Sequence, residues 1–216
     1  MSDDPNVITR RRKKYKFAKF NELTNCFQLD EWRMPEQTGE VVVEIGAGTA
    51  LFLVELARRC PAKFFIAVDI KSDRLYTGAK LATELGLDNI VFVRSEISHL
   101  TEIVPAGSAG EIWLTFSDPY PRKSDARHRL SAPRFLELYK NILRPATSVL
   151  HFKTDNQALF DWSVEQLSEN GWEIGYLTRD LHRSDAPEEA KIMTTYEQRF
   201  MSEGLPIFHL SATIKL

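Results

Sequence analysis

Acidic side chains recur where the apolar runs of this 216-residue chain end. Each of these runs is predicted to be a strand, and five of them are closed by an acid: Glu44, Asp69, Glu96, Asp118 and Asp155. Parallel sheets bind ligands outside the carboxyl ends of their strands. We therefore expect the five carboxylates to gather at one rim, because a purely structural sheet would have no need for so much like charge there.

A glycine-rich turn follows the first of these strands. The β-branched run 41–43 leads into EIGAG (44–48) and then into a helix-like stretch. Strand, glycine turn and helix open a nucleotide-binding α/β unit, in which glycines let the backbone approach a ligand closely. A dinucleotide fingerprint would need a third glycine where Leu51 stands. With its small residue at Ala50, the pattern instead resembles the first motif of class I methyltransferases that use S-adenosylmethionine. A glycine turn without a ligand is the alternative.

Two further acids lie where a nucleoside would be bound. Asp69 belongs to the run 63–70 and lies 23 residues beyond Gly46. Such units place an acid about 20 residues on, where it binds the ribose hydroxyls. Glu96 ends the run 89–96, where a carboxylate can accept a hydrogen bond from an adenine amino group. The alternatives are a helix cap for Asp69 and an exposed loop position for Glu96.

The stretch FSDPYPRKSDARHRL (116–130) combines an acid, an aromatic ring and a basic loop. Asp118 ends the fourth predicted strand, Tyr120 could stack on a base, and the prolines beside it stiffen the turn. The basic side chains that follow are predicted to contact phosphates: Arg122, Lys123, Arg127 and Arg129. This order suits a nucleic-acid base as the substrate, and a proline-rich surface turn is the alternative.

A second polar segment, 194–200, offers hydroxyls, an aromatic ring, a carboxylate and an arginine close together. Glu197 could accept hydrogen bonds from guanine N1–H and from the guanine 2-amino group together, which would select guanine. A polar patch at the edge of a strand explains the same residues. On residue chemistry alone, that alternative is favoured.

Strand-like and helix-like segments alternate six times, and a final strand has no helix after it. This pattern predicts an α/β fold with a doubly wound sheet of seven strands, in one domain over residues 21–216. The segment 17–32 is predicted to be irregular or a short helix at the rim, and 179–195 a mobile loop. The predicted strands are 41–45, 64–69, 89–96, 111–118, 148–154, 172–178 and 207–214.

Charge is distributed unevenly along the chain, although the net charge is only −2. Residues 1–19 hold seven basic residues and two acids, which gives +5 there and leaves −7 for the remainder. We predict a flexible basic arm over residues 1–20 that reaches a polyanionic partner. A solubilising tail would have the same composition, and charge alone does not separate the two.

The two cysteines, Cys26 and Cys60, form no CxxC pair, and no histidine pair has the spacing of metal ligands. We predict free thiols in a reducing compartment and no metal site. Neither a signal peptide nor an apolar run of membrane-spanning length is present. The protein is therefore expected to be cytoplasmic and soluble, without a membrane partner, and the sequence leaves open whether it is a monomer or a homodimer.

Four motifs occur in an order and at separations that carry a specific resemblance: EIGAG (44–48), FSDP (116–119), Thr154-Asp155 and TxYExR (194–199). Over residues 40–216 the chain resembles the bacterial tRNA (guanine-N7-)-methyltransferase family. The resemblance implies a class I, Rossmann-like methyltransferase sheet whose last strand is antiparallel, with S-adenosylmethionine as cofactor and S-adenosylhomocysteine as product. It also implies a tRNA substrate, methylated at guanine 46 of the variable loop.

The resemblance assigns a role to each candidate residue. Asp118 would be the catalytic acid and would also contact the cofactor, together with Glu44, Gly46, Gly48, Asp69 and Glu96. The implied tRNA-binding positions are Arg122, Asp155, Thr194, Thr195, Tyr196 and Glu197. Tyr120 stands where tryptophan is usual and the loop after it is less basic than in the family, and these departures concern affinity for tRNA.

Two other functions fit parts of the same pattern. A class I methyltransferase acting on another RNA, a protein or a small molecule would keep the cofactor residues but give the basic loop and arm no purpose. A catalytically silent RNA-binding member of the fold would keep the basic residues, although it would not need acids at all five strand ends. An NAD-linked oxidoreductase is disfavoured by Leu51.

Overall fold

Eight strands form one sheet in the computed structural model, which describes residues 10–36 and 39–215. In chain order they are β1 (Cys26–Gln28), β2 (Glu40–Ile45), β3 (Lys63–Asp69), β4 (Ile90–Arg94), β5 (Ala109–Thr115), β6 (Val149–Thr154), β7 (Trp172–Thr178) and β8 (Phe208–Ile214). Their order across the sheet is β1-β4-β3-β2-β5-β6-β8-β7. The neighbouring pairs from β1 to β6 are parallel, whereas β8 runs antiparallel to β6 and β7. The predicted doubly wound sheet with an antiparallel last strand is confirmed.

Helices cover both faces of this sheet. The α-helices are α1 (Arg10–Phe20), α2 (Leu51–Arg59), α3 (Ser72–Glu84), α4 (Leu100–Ile103), α5 (Pro133–Ile142), α6 (Gln157–Glu169) and α7 (Thr195–Ser202). Successive side chains of a strand point to opposite faces. Val43 accordingly packs with Leu136 of α5 and Phe160 of α6, and Val42 packs on the other face with Leu53 of α2. The apolar run in β2 is therefore explained by burial on both faces.

The structure differs from the predicted elements in three places. It contains β1, which pairs with β4 at the edge of the sheet and brings the strand count to eight rather than seven. Three residues are too few to show a strand period. Second, β4 and β5 end at Arg94 and Thr115, so Glu96 and Asp118 lie in the loops that follow. Third, the segment expected at a strand edge is the helix α7.

The basic segment near the start of the chain is helical from residue 10 onward. Phe20 at the end of α1 is fully buried, and Lys16 Nζ donates a 3.4 Å hydrogen bond to Thr77 Oγ1 of α3. The predicted flexible arm covers residues 1–20, of which 1–9 lie outside the described residues. The arm's C-terminal half therefore lies against α3, while the division into arm and domain remains a prediction.

Both cysteines are free thiols, as predicted. Cys26 is buried, and its burial raises the pKa of the thiol to about 12, so this sulfur is held as an unreactive thiol at neutral pH. No helix in the described part of the chain is both long enough and apolar enough to cross a membrane.

Gly78 lets α3 approach the turn after β2. A Cβ at this position would lie 2.5 Å from the carbonyl oxygen of Thr49. We expect Gly78→Ala to lower the free energy of unfolding by about 1–3 kcal/mol, because the clash outweighs the gain in helix propensity of at most about 1 kcal/mol. Gly175→Ala is the control, since a Cβ there meets nothing within 4 Å. Urea denaturation of both variants measures the effect, and equal stability of the two would contradict this account of the turn.

Candidate functional site

The chain changes direction across the sheet between β2 and β5, because β3 and β4 lie on one side of β2, and β5 and β6 on the other. Doubly wound sheets bind ligands at such a switch point. A cavity of about 360 Å³ opens there, within the range of about 300–1,000 Å³ of small-molecule sites. Four of the predicted site residues line it, namely Gly46, Asp69, Glu96 and Asp118. Glu44 and Asp155 do not line this cavity.

The floor of the cavity is the turn between β2 and α2. Gly46 and Gly48 have φ of 69° and 56°, in the left-handed region that favours glycine, and Ala50 follows with φ of 53°. The Gly46 N–H donates a 2.9 Å hydrogen bond to the Val68 carbonyl of β3. A Cβ on Gly46 would lie 2.8 Å from the side chain of Leu130. The backbone path thus favours glycine at both positions, and at Gly46 a side chain would also clash.

Asp69 joins this turn to the end of β3. Its Oδ2 accepts a 2.8 Å hydrogen bond from the Gly48 N–H, and its Oδ1 accepts one of 2.8 Å from the Lys71 N–H. Each carboxylate oxygen has a further lone pair, so Asp69 can still accept from a ligand diol. The residue does not cap α3, whose N-cap is Lys71 and shows no side-chain cap bond.

Glu44 lies beneath the turn and is only 1% exposed. Its Oε1 accepts a 2.5 Å hydrogen bond from the Thr115 hydroxyl, whereas Oε2 is buried without a hydrogen-bond partner in the described residues. Burial raises the pKa of this carboxyl to about 8, although Thr115 and Lys153 act to lower it. An orphaned buried acceptor is rare in proteins, and Oε2 of Glu44 is therefore an unused bonding position beside the turn between β2 and α2.

Asp118 stands free at the cavity wall. Its side chain is exposed and has no hydrogen bond or ion pair among the described residues. The turn that carries it is unusual, because Phe116 and Tyr120 have φ of 48° and 41°. Non-glycine residues in this region cluster at functional sites. The carboxylate is therefore presented to the cavity by the backbone and not by a side-chain partner.

Basic side chains flank the cavity on two sides. Arg122 is exposed beside the Asp118 turn, and Lys123 and Arg127 are exposed on the 3₁₀ helix Lys123–His128 that follows. Arg129, predicted to contact phosphate, instead turns inward and bonds to the Asp118 turn. Arg74 and Arg134 were not among the predicted site residues, but they line the cavity from the first turns of α3 and α5. A cation is unfavourable at a helix N-terminus because it opposes the helix dipole. Arginine at both of these positions therefore indicates an anionic ligand, and the sequence already contained this pattern.

Asp155 follows β6 at the same edge of the sheet. It is half-buried, and burial raises the pKa of its carboxyl. The neighbouring Thr154 is buried and its hydroxyl accepts from the Asn156 N–H at 3.1 Å, while Asn156 caps α6 by accepting from the Leu159 N–H at 2.8 Å. Asp155 thus lies between two hydrogen-bonded residues, at the end of the strand next to the one that leads into the Asp118 turn.

Glu197 is fully buried at the start of α7. Thr194 and Glu197 form a capping box, in which Glu197 Oε2 accepts from the Thr194 N–H at 2.7 Å and the Thr194 hydroxyl accepts from the Glu197 N–H at 3.1 Å. Glu197 Oε1 lies 2.9 Å from Lys153 Nζ and 3.1 Å from His182 Nε2. Because Glu197 is fully buried and both of its oxygens are engaged, it is not accessible to a base in this structure. The side chains of Thr195 and Tyr196 lie outside the described part of the chain.

Lys153 anchors the segment that was predicted to be a mobile loop. Its buried ammonium group donates to the carbonyls of Ala190 and Ile192, at 2.7 and 3.0 Å, and pairs with Glu197. Burial lowers the pKa of Lys153, and the charges of Glu197 and Glu44 act to raise it. Four apolar residues of the segment are buried as well, namely Leu181, Ala186, Ala190 and Ile192. The loop is therefore packed against the sheet.

Comparison with known proteins places the chain among methyltransferases. Residues 38–210 match a family model described as "Putative methyltransferase". A tRNA (guanine-N(7)-)-methyltransferase of Christiangramia forsetii is 37% identical over 90% of this chain and 89% of its own length. One of Cytophaga hutchinsonii is 36% identical over 93% of this chain and 96% of its own length.

Solved structures share the fold at low identity. The 16S rRNA methyltransferase KamB has a TM-score of 0.62 at 19% identity, covering 83% of this chain and 90% of its own. A SAM-dependent methyltransferase from Aquifex aeolicus has a TM-score of 0.57 at 16% identity, covering 94% of this chain and 89% of its own. These two likenesses confirm a class I methyltransferase fold.

Glu44 should make the stability of the protein depend on pH. Its pKa is about 8 in the folded chain, against an ordinary 4.5, so the folded state binds more protons between these values. The free energy of unfolding should therefore fall as pH rises through this window, by about 1.4 kcal/mol per pH unit. Glu44→Gln removes this dependence.

Urea denaturation between pH 5 and pH 9, without added cofactor, measures the difference in the free energy of unfolding between wild type and Glu44→Gln. As pH rises, this difference should change steadily in favour of the variant up to about pH 8 and then level off. The exposed Glu165→Gln is the control and should run parallel to wild type. A constant difference for Glu44→Gln would show that the buried carboxyl titrates normally.

Proposed function

The chain belongs to the tRNA (guanine-N(7)-)-methyltransferase family, and on that premise we propose that it transfers the methyl group of S-adenosylmethionine to N7 of guanine 46 in the variable loop of tRNA. The observation that carries this proposal is the free carboxylate of Asp118 at the wall of a cavity that Asp69 and Glu96 also line. Such a protein would act in the cytoplasm, together with its tRNA substrate.

The residues around the cavity fit S-adenosylmethionine chemically. Asp69 has lone pairs left for the ribose diol, and Glu96 is exposed in the cavity as an acceptor for the adenine amino group. Gly46 lines the cavity without a side chain, which leaves that room to a ligand. Glu44 lies beneath the turn, and its unpartnered Oε2 is a remaining hydrogen-bonding position that we assign to the methionine moiety. When bound, the cofactor supplies an electrophilic methyl group on its sulfonium.

The acceptor atom determines what the protein must contribute. Guanine N7 has a free lone pair on the Hoogsteen edge, so it needs no deprotonation before it attacks a methyl group. Catalysis then consists of holding the base in line and stabilising the positive charge that develops on its imidazole ring. We assign the second role to Asp118, because a carboxylate close to that ring interacts more strongly with the transition state than with the neutral base.

We assign binding of tRNA to groups around the rim of the cavity and beyond it. Arg122, Lys123 and Arg127 would contact phosphates, and Tyr120 would stack on a base. Asp155 and the segment 194–197 complete the proposed tRNA surface. Within that segment, we propose that Thr195 and Tyr196 contact tRNA. Glu197 would act indirectly, by stabilising the start of α7.

Asp118→Asn tests the proposed catalytic role. The variant keeps the shape of the side chain but removes its charge, so kcat should fall by about 100-fold or more, while folding and tRNA affinity remain. The matched control is Asp125→Asn, which changes an acid of the same loop that does not line the cavity and should leave kcat near wild type. Methylation rates at saturating tRNA and cofactor measure both. Near-normal turnover of Asp118→Asn would remove Asp118 from the mechanism.

A further inference from the structure

We propose that Arg129 is a positioning residue for methyl transfer, whose guanidinium fixes the turn that presents Asp118 to the cavity. The sequence pattern places this arginine in a basic loop and predicts a phosphate contact for it. Its contacts give it a different task. The inference rests on the proposed function, since it concerns how Asp118 is held for that reaction.

The Asp118 turn needs an external support. Phe116 and Tyr120 lie on either side of it with φ of 48° and 41°. Residues with a Cβ are unfavourable in this left-handed region and remain there only when the surrounding structure fixes them. Asp118 itself contributes no support, because its side chain has no hydrogen bond or ion pair within the described ranges 10–36 and 39–215.

Arg129 supplies that support at the far end of the turn. Its Nε donates a 2.9 Å hydrogen bond to the carbonyl of Pro119, and its Nη2 donates one of 3.0 Å to the carbonyl of Tyr120. These are the two carbonyls that directly follow Asp118. At the near end, the Phe116 N–H donates a 2.9 Å hydrogen bond to the carbonyl of Lys153 in β6. The turn is thus pinned on both sides of Asp118.

The guanidinium is itself held in place. It lies over the ring of Trp162 from α6, with 4.5 Å between the guanidinium carbon and the ring centroid. A planar arginine fork can make two parallel hydrogen bonds and stack on an aromatic ring at once, which the ammonium of lysine cannot do. Arg129 is half-buried, whereas Arg122, Lys123 and Arg127 are exposed on the same loop. The loop therefore contains two kinds of cation, three that face solvent and one that holds the turn.

The two roles predict different kinetics for Arg129→Lys, which keeps the positive charge but loses the fork and the stacking. If Arg129 positions Asp118, kcat for tRNA methylation should fall at least tenfold, while KM for tRNA and its dependence on salt stay at wild-type values. If Arg129 contacts a phosphate, Arg129→Lys should keep kcat and most of the affinity. Wild-type kcat in this variant would overturn the proposal.

Arg127→Ala is the matched comparison from the same loop. This exposed arginine is proposed to contact phosphate, so its removal should raise KM for tRNA and reduce the salt slope of binding by about 1, with kcat retained. Trp162→Leu is a second variant that leaves the charge and the fork of Arg129 but removes the stacking face. It should lower kcat in the same direction with KM unchanged. A rise in KM without a fall in kcat would contradict the positioning role.

Hydrogen–deuterium exchange gives a readout that does not require activity. Arg129→Lys should speed exchange of the Phe116 N–H, which is hydrogen-bonded to the Lys153 carbonyl at the near end of the turn, and Arg127→Ala should not. Unchanged exchange in Arg129→Lys would overturn the proposal. If the wild-type protein did not methylate tRNA, the proposed function would fail, and exchange would still decide whether Arg129 fixes the turn.

Discussion

Lys153 brings a positive charge into the interior of the protein, and two functional segments depend on it. Its side chain is 0% exposed, and its three protons are matched by the carbonyls of Ala190 and Ile192 and by the carboxylate of Glu197. A buried charge is tolerated only when such partners are present, and removing one partner typically costs about 3–5 kcal/mol. The backbone carbonyl of the same residue accepts from Phe116 at the start of the Asp118 turn. One residue of β6 thus fixes the segment before α7 and one end of that turn.

The acids of the site divide into two groups by their surroundings. Asp69, Glu96 and Asp118 line the cavity and remain able to accept hydrogen bonds from a ligand. Glu44 and Glu197 are buried; Glu197 pairs with Lys153, the charge of Glu44 also acts on Lys153, and Oε2 of Glu44 keeps an unused bonding position. A rim of carboxylates alone would repel one another. Asp69 accordingly raises the pKa of Glu44, and the Lys153 ammonium acts to lower it.

The fold could be predicted because apolar strand-like runs alternate with helix-like segments along the chain, and the glycine turn with Asp69 located the cavity. The departures came from features that local pattern does not encode. The left-handed φ of Phe116 ends β5 early, although the residue type favours a strand. Thr194 and Glu197 have the spacing of a capping box, but this reading requires knowing that a helix follows. The direction of Arg129 depends on Trp162, which lies 33 residues further along the chain.

The central claim is that this chain methylates N7 of guanine 46 in tRNA. The most direct test is mass spectrometry of nucleosides from unmodified tRNA that has been incubated with the purified protein and S-adenosylmethionine. We expect 7-methylguanosine to form and to disappear when guanine 46 is replaced by another base. Binding of the cofactor without any 7-methylguanosine, or with 7-methylguanosine that persists after the replacement, would contradict the claim.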